Sequence, residues 1–330
     1  MHAPYPPKTA AVGGRPTVGV DVPITAVFLF LFMIGAAGHM TIFQINKRRG
    51  HKFVMSAMTF GFCMARIVTM IMRIVWACYP NDVQIAIAAM IFVSAGVLIL
   101  FIINLIFAQR VLRAAHPHFG WHKVLSKIFL GLYILVGLML ATVITATVQS
   151  FYTLSKNIHQ IDRDLQLAAG TYLLFIAFLP IPMVVLGFVV PRKTRVEKFG
   201  KGRWRTKIAI LLTSAALLTT GAGFRIGTSF MNPRPVNDPA WYHAKWCFYF
   251  FNFTIEIVVV YLYILVRVDR RFHIPNGSKG PGDYLQDQVG GEKVERPTSG
   301  GSDTLVLSEE EVFDDVQPEQ LKSKEELGHF

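Results

Sequence analysis

The sequence predicts an all-α integral membrane protein. It is a seven-transmembrane-helix bundle with its N-terminus outside, its C-terminus cytoplasmic and a disordered acidic C-terminal tail. Three observations carry this reading. Of 330 residues, 52% are hydrophobic and only 16% charged, a balance that suits a multi-span membrane protein better than a soluble one. Seven apolar runs each exceed the roughly 20 residues needed to cross about 30 Å of hydrocarbon, where helices alone satisfy their backbone groups in this way. Finally, the basic residues are distributed unevenly. Loops 1–2, 3–4 and 5–6 and the segment after span seven carry eighteen Lys/Arg, and the opposite side carries six. The positive-inside rule therefore places the N-terminus outside.

Residues 1–22 contain Pro and Gly and lack an apolar h-region, so they read as a short extracytoplasmic segment and not as a cleavable signal. Span one is Pro23–Gln44, with His39 near Gly35 and Gly38. A single histidine there reads as an interhelical hydrogen bond before it reads as a ligand.

Span two, Phe53–Cys78, organises the rest. Ser56, Thr59, Cys63, Arg66, Thr69 and Arg73 follow one another at steps of three or four, which makes a polar stripe on one helix face. A charge inside the hydrocarbon costs about 3 kcal/mol on insertion scales, so both arginines must face the bundle interior.

Span three is Ile85–Gln109 and span four Leu125–Gln149. The loop between them holds His116, His118 and His122. No acidic residue or cysteine accompanies them, and a metal is not expected. Span five, Leu167–Val190, contains Pro180 and Pro182 near its middle. Each removes a backbone donor, so the pair predicts a kink and a candidate hinge. The Pro191–Lys207 loop holds eight Lys/Arg against Glu197 alone, a candidate contact for anionic lipid head groups as well as an ordinary topology signal.

Span six is Lys207–Phe230 and carries a third intramembrane cation, Arg225. Span seven, Trp246–Val266, carries Glu256, read as the acidic residue inside the spans, with Tyr249, Asn252 and Tyr263 on its face. Arg66 lies 13 residues from Phe53, about 20 Å up the helix; Glu256 lies 11 residues from Arg267, about 16 Å up. The depths match within a turn and predict a buried Arg66–Glu256 ion pair that sets span two beside span seven. That leaves Arg73 and Arg225 without a protein counter-charge. They either snorkel to the outer water layer or line a wet cavity for an anionic head group. Arg73, Arg225 and Asn252 are the ligand-binding candidates.

Cys78 and Cys247 both fall at the outer boundary, where a disulfide is sterically conceivable, and Cys63 remains a buried thiol. Residues 274–330 read as a disordered cytoplasmic tail. Residues 280–330 hold four Lys/Arg and thirteen Asp/Glu, a net of −9, against +21 for residues 1–279. The basic balance thus belongs to the membrane domain of residues 23–273, and no nucleic acid is expected. The acidic stretch after Ser308 suits a kinase or a cytoplasmic partner as well as a plain solvated tail. No Walker loop, dinucleotide fingerprint, Ser-His-Asp set or His-Glu-x-x-His motif is present, so neither a cofactor nor enzymatic activity is expected.

The stretches His39–Lys52, Gly61–Thr69 and Phe101–Arg110 resemble an uncharacterised fungal family of seven-span membrane proteins, catalogued as a domain of unknown function, and the similarity covers residues 20–285, including Gly280-Pro-Gly-Asp-Tyr284 after span seven. The layout also looks like that of RTA-like lipid-translocating exporters. The leading functional expectation is binding or translocation of a lipid-like or amphipathic anion, with the uncompensated Arg73 and Arg225 on the head group; the likeness is one of layout and supplies no site residues. A second reading is a seven-span sensor that signals through the basic loops and the acidic tail. The Asp-Arg-Tyr and Asn-Pro-x-x-Tyr motifs of the common receptors are missing from it.

Overall fold

The computed structural model describes residues 3–6, 9–191 and 196–284. Its seven long apolar helices are Val18–Arg48, Val54–Cys78, Val83–Ala115, Lys123–Tyr152, Lys156–Val189, Trp204–Phe230 and Lys245–Leu265. The chain is a multi-pass integral membrane protein. Among the described residues, extended structure is limited to one isolated bridge, between Thr9 and Pro235.

The helices follow one another around the bundle. Spans one and two pack along their length, as do two and three, four and five, and five and six; span seven closes the ring against spans one and six. The second half of span three runs through the middle and touches spans two, five and six. Its residues Leu100, Ile103, Leu105 and Phe107 are fully buried. Val27, Phe30, Leu130, Ile134, Leu138 and Leu186 stay exposed, which in a bilayer is the surface that meets lipid. We call the end that carries residues 3–17 the N-terminal end and the other the basic end.

Most helices outrun the apolar runs that predict them. Span one starts at Val18, so Asp21 lies in its first turn, where a carboxylate suits the helix dipole. Span five starts at Lys156 with a polar first half, Lys156–Gln166.

Three spans are interrupted. Span three breaks at Val97, between Val83–Gly96 and Leu98–Ala115. Span five breaks at Leu179, where Pro180 begins a new helix and cannot continue the old ladder. Span seven widens into a π turn at Phe250–Thr254. There Asn252 Nδ2 donates to the Phe248 carbonyl at 2.9 Å, and Thr254 Oγ1 to the Tyr249 carbonyl at 3.3 Å. Side chains thus occupy carbonyls that the widened turn exposes.

The basic end is closed by the chain after span seven. Arg267 adopts a left-handed φ of 50° and turns the chain across the bundle. Phe272 then stacks on Phe107, and Arg110 donates to the Phe272 carbonyl. The packed domain does not stop at residue 273. Tyr284 is buried against Trp121 and Phe199, and Glu197 accepts the Gly282 amide at 2.7 Å. Residues 274–284, expected to begin the tail, thus lie against the bundle, anchored by the Tyr284 side chain. The acidic part of the tail lies outside the described residues.

Candidate functional site

Span two delivers its polar stripe to the interior as its periodicity requires. Ser56, Thr59, Cys63, Arg66, Thr69 and Arg73 are all buried. The structure places the two arginines in separate ionic clusters, Arg66 near mid-depth and Arg73 at the N-terminal end.

At mid-depth, Arg66 and Glu256 meet in a two-pronged pair. Arg66 Nε donates to Glu256 Oε2 at 2.7 Å and Nη2 to Oε1 at 2.6 Å, with both side chains at most 1% exposed. This is the strong, planar form of a charge-assisted contact. The remaining nitrogen, Arg66 Nη1, donates to the carbonyls of Phe92 and Val93 at 3.1 and 2.9 Å. Those carbonyls belong to the last turn before the break in span three. Gly96 leaves the space: a Cβ there would sit 2.7 Å from Arg66 Cζ. The guanidinium also lies over the Phe62 and Phe253 rings. Arg66 therefore ties spans two, three and seven together.

Arg225 enters this cluster from span six. Its Nη1 is 3.7 Å from Glu256 Oε1 and 3.5 Å from Asn252 Oδ1, and its side chain is 25% exposed. Two guanidinium groups share one carboxylate, so the cluster keeps a net positive charge, and Arg225 is the exposed member. Span six reaches span seven closely here, because Gly221 faces the Phe251 carbonyl, 2.9 Å from where a Cβ would be.

At the N-terminal end, the expectation that Arg73 lacks a counter-charge is corrected. Arg73 Nη2 donates to Asp21 Oδ1 at 2.9 Å and to the Gly13 carbonyl at 3.0 Å, and Nη1 reaches the Gly14 carbonyl at 3.4 Å. Asp21 is fully buried. It also pairs with Lys245 and accepts from the Tyr249 hydroxyl at 2.8 Å and from the Thr17 amide at 2.8 Å. The Tyr249 and Thr25 hydroxyls are 2.9 Å apart. The correction has a simple cause: residues 18–22 belong to span one, so a second carboxylate enters the bundle. Arg73 is a charge-paired structural cation in this structure, although its Nε is buried without a hydrogen-bond partner.

A third polar group lies in the central helix. Asn104 Oδ1 accepts from Ser214 Oγ at 2.9 Å and from the Tyr263 hydroxyl. Sequence reasoning passed over Asn104; the signal was a lone amide inside Leu98–Ala115, which must find partners when buried. His39 Nε2 lies 3.2 Å from the Val260 carbonyl, an interhelical contact of the kind expected.

The other sequence candidates are placed as follows. Pro180 and Pro182 sit at the break in span five. His116 Nε2 lies 3.0 Å from the Gly187 carbonyl beyond that break. Of the Pro191–Lys207 loop, Arg192, Lys193 and Arg195 lie outside the described residues. Phe199 and Lys207 are fully buried, with Lys207 Nζ donating to the Phe199 carbonyl at 2.5 Å. Lys201, Arg203 and Arg205 remain exposed. Burial pushes the Glu197 carboxyl above the ordinary carboxylate range, and nearby Asp283 adds to this, although the Gly282 amide opposes it. Cys78 and Cys247 are free thiols, one exposed and one buried, so they form no disulfide. Among the described residues, no cluster of His, Cys, Asp or Glu could hold a metal ion.

The model of a family described as "Protein of unknown function (DUF3112)" matches residues 117–203 and 200–273. The matched stretch runs from the loop before span four to the end of span seven. It contains Arg225, Asn252 and Glu256 but not Asp21, Arg66, Arg73 or Asn104. The likeness to a family of unknown function expected from the sequence is thus found, although the three stretches that suggested it lie before residue 117. No curated protein and no solved structure matches the chain.

Proposed function

We propose that this protein binds a lipid-like or amphipathic anion and carries it across the bilayer, with Arg225 holding the anionic head group and Asn252 beside it. In this reading the N-terminal end faces outward, as the loop charges require, and the molecule works without covalent chemistry of its own. One observation carries the reading: Arg225 is partly exposed and shares Glu256 with a better-placed Arg66. A buried cation without a full counter-charge is costly in a low-dielectric interior. An anionic head group at Arg225 would relieve that cost, and an uncharged ligand would not.

The surroundings support it. Arg66 holds Glu256 rigidly, so the carboxylate cannot swing wholly to Arg225. Interrupted helices flank the site in spans three and seven. Transporters place substrate sites at such interruptions, where helix ends and free backbone groups face a cavity. The break at Pro180 and Pro182 is a hinge candidate for the accompanying shape change. Arg73, the other arginine first considered for the head group, takes no part.

The test is movement of a fluorescent anionic phospholipid across proteoliposomes that contain only this protein. Wild type should move it, and Arg225→Gln should slow movement at least about tenfold, the equivalent of about 1.4 kcal/mol. If wild type binds the lipid at Arg225 without moving it, binding stands and transport falls. If neither form binds it, the reading fails.

A further inference from the structure

Residues Thr9–Thr17 cross the N-terminal end of the bundle as a strap without helix, bent by a turn in which the Gly14 amide donates to the Ala11 carbonyl at 2.9 Å. Thr9 bridges Pro235. The Ala10 amide donates to the Arg234 carbonyl at 2.8 Å, and the Gly13 amide to the His243 carbonyl at 2.9 Å. Upstream, the Tyr5 amide donates to the Phe151 carbonyl at the end of span four. Arg73 of span two grips the strap through the carbonyls of Gly13 and Gly14. The strap then enters span one, where the Thr17 amide is fixed to Asp21. It thus touches spans one and two and the connection between spans six and seven.

Its attachment is light. Up to Pro16 it is held by backbone bonds and the Arg73 grip, with Gly13 and Pro16 buried and Val12 packed part-buried against the core; the side-chain bonds lie at its end, where the Thr17 hydroxyl meets Lys245 and Asp21. Gly13 and Gly14 have φ of +83° and +52°, a conformation that side-chain-bearing residues rarely adopt. Little apolar area opposes its lifting. Arg73 keeps Asp21 when the carbonyls leave, so lifting does not strand its charge.

The strap is also connected to the site below it. Gly13 sits on the Phe248 ring, which stacks under the Arg73 guanidinium at 4.4 Å. The Phe248 carbonyl holds Asn252 Nδ2, and Asn252 Oδ1 faces Arg225. We propose that the strap Thr9–Thr17 is a lid latched by Arg73, and that an anionic head group reaches Arg225 from the outside only when the lid lifts. The proposal rests on Arg225 being the head-group residue.

Three full-chain variants test it. Gly13→Ala places a Cβ 2.5 Å from Phe248 Cγ in a strained backbone. Gly14→Ala is strained by its φ alone, with open space around it. Gly19→Ala meets nothing within 4 Å and serves as the control. Two readouts separate lid from ligand. One is the rate at which phenylglyoxal modifies Arg73, mapped by mass spectrometry. The other is the association rate of a short-chain fluorescent phosphatidate with the protein in phosphatidylcholine nanodiscs. Both rates should rise in the order Gly19→Ala, Gly14→Ala, Gly13→Ala, the control matching wild type and the last exceeding it several-fold. An unchanged Arg73 rate in Gly13→Ala overturns the latch. Faster Arg73 modification with phosphatidate binding wild type and variant at one rate overturns the lid alone. Faster modification with phosphatidate binding neither form overturns the head-group reading, and the lid with it.

Discussion

The guanidinium of Arg66 and the carboxylate of Glu256 face each other fork to fork, 190 residues apart in sequence, with contacts of 2.7 and 2.6 Å. The pair sits against broken backbone on both sides: the last turn before Val97 in span three and the π turn of span seven. Its role is therefore larger than joining two helices. It supplies a donor to free carbonyls and fixes the carboxylate that Arg225 shares.

Removing one partner of a buried pair costs about 3–5 kcal/mol, because the other charge is left unanswered. Here the two removals should be unequal. Arg66→Gln leaves Glu256 with Arg225, which lies 3.7 Å away and can close. Glu256→Gln leaves two guanidinium groups with no carboxylate in the cluster. Glu256→Gln should therefore lower stability in detergent more than Arg66→Gln. The double change should cost at least about 1 kcal/mol less than the sum. Additive losses in a denaturation series would mean that the two residues act independently.

Gly96 is expected to be intolerant of the smallest side chain. A Cβ there meets Arg66 Cζ, Nη1 and Nε at 2.7, 2.8 and 3.0 Å, and the guanidinium is held by four acceptors. Overpacking of this kind costs about 1–3 kcal/mol. Gly61→Ala on span two meets nothing within 4 Å and should stay within about 0.5 kcal/mol of wild type. Comparable midpoints for the two variants would show that Arg66 can move aside.

Asn104→Leu keeps the volume of the central helix and removes the acceptor of Ser214 and Tyr263. Each buried group left unsatisfied costs about 1–3 kcal/mol. Ser214 retains its bond to the Leu211 carbonyl at 3.0 Å, so most of the loss should come from Tyr263. Adding Tyr263→Phe should then recover part of the stability lost in Asn104→Leu. A double variant worse than Asn104→Leu alone would place the hydroxyl's main contact elsewhere.

The spans were legible because hydropathy integrates over some twenty residues, and the depth argument needed only the helical rise. Asp21 was not. It sits in Val18-Gly-Val-Asp-Val22 just before a proline, outside the apolar run, and the helix nevertheless begins at Val18 with the Thr17 amide bonded to the Asp21 carboxylate. The break at Val97 falls in the mostly apolar run Ile91–Ile106, where Gly96 is the one local signal and a single glycine inside an apolar helix does not by itself mark a break. The carbonyls that Arg66 takes there come from a tertiary contact, which local sequence does not encode. Tyr284 was missed for a related reason: one aromatic residue in a Gly/Pro-rich stretch carries no periodicity, and its partners Trp121 and Phe199 lie in two distant loops.

The basic end should respond to acid in two opposite ways. At Asp269, burial opposes ionisation, but hydrogen bonds from Arg267 and Asn46 outweigh it and hold the carboxyl below its ordinary value of 3.8. Its stabilising contribution is complete above that value and is lost only as the pH falls through the lower folded value. At Glu197, burial dominates and raises the carboxyl above 4.5. The fold there favours the protonated acid, so its contribution is greatest below 4.5 and declines as the pH rises through the higher folded value. Mild acidification from neutrality should therefore tighten the Gly280–Tyr284 segment while leaving Asp269 paired. The Gly282 amide reports this directly, since it donates to Glu197. Its hydrogen-exchange protection, corrected for the intrinsic rate, should rise as the pH falls towards 4.5, and Glu197→Gln should flatten that dependence. Protection that falls over this interval, or a pH dependence that survives Glu197→Gln, would assign the response to another group.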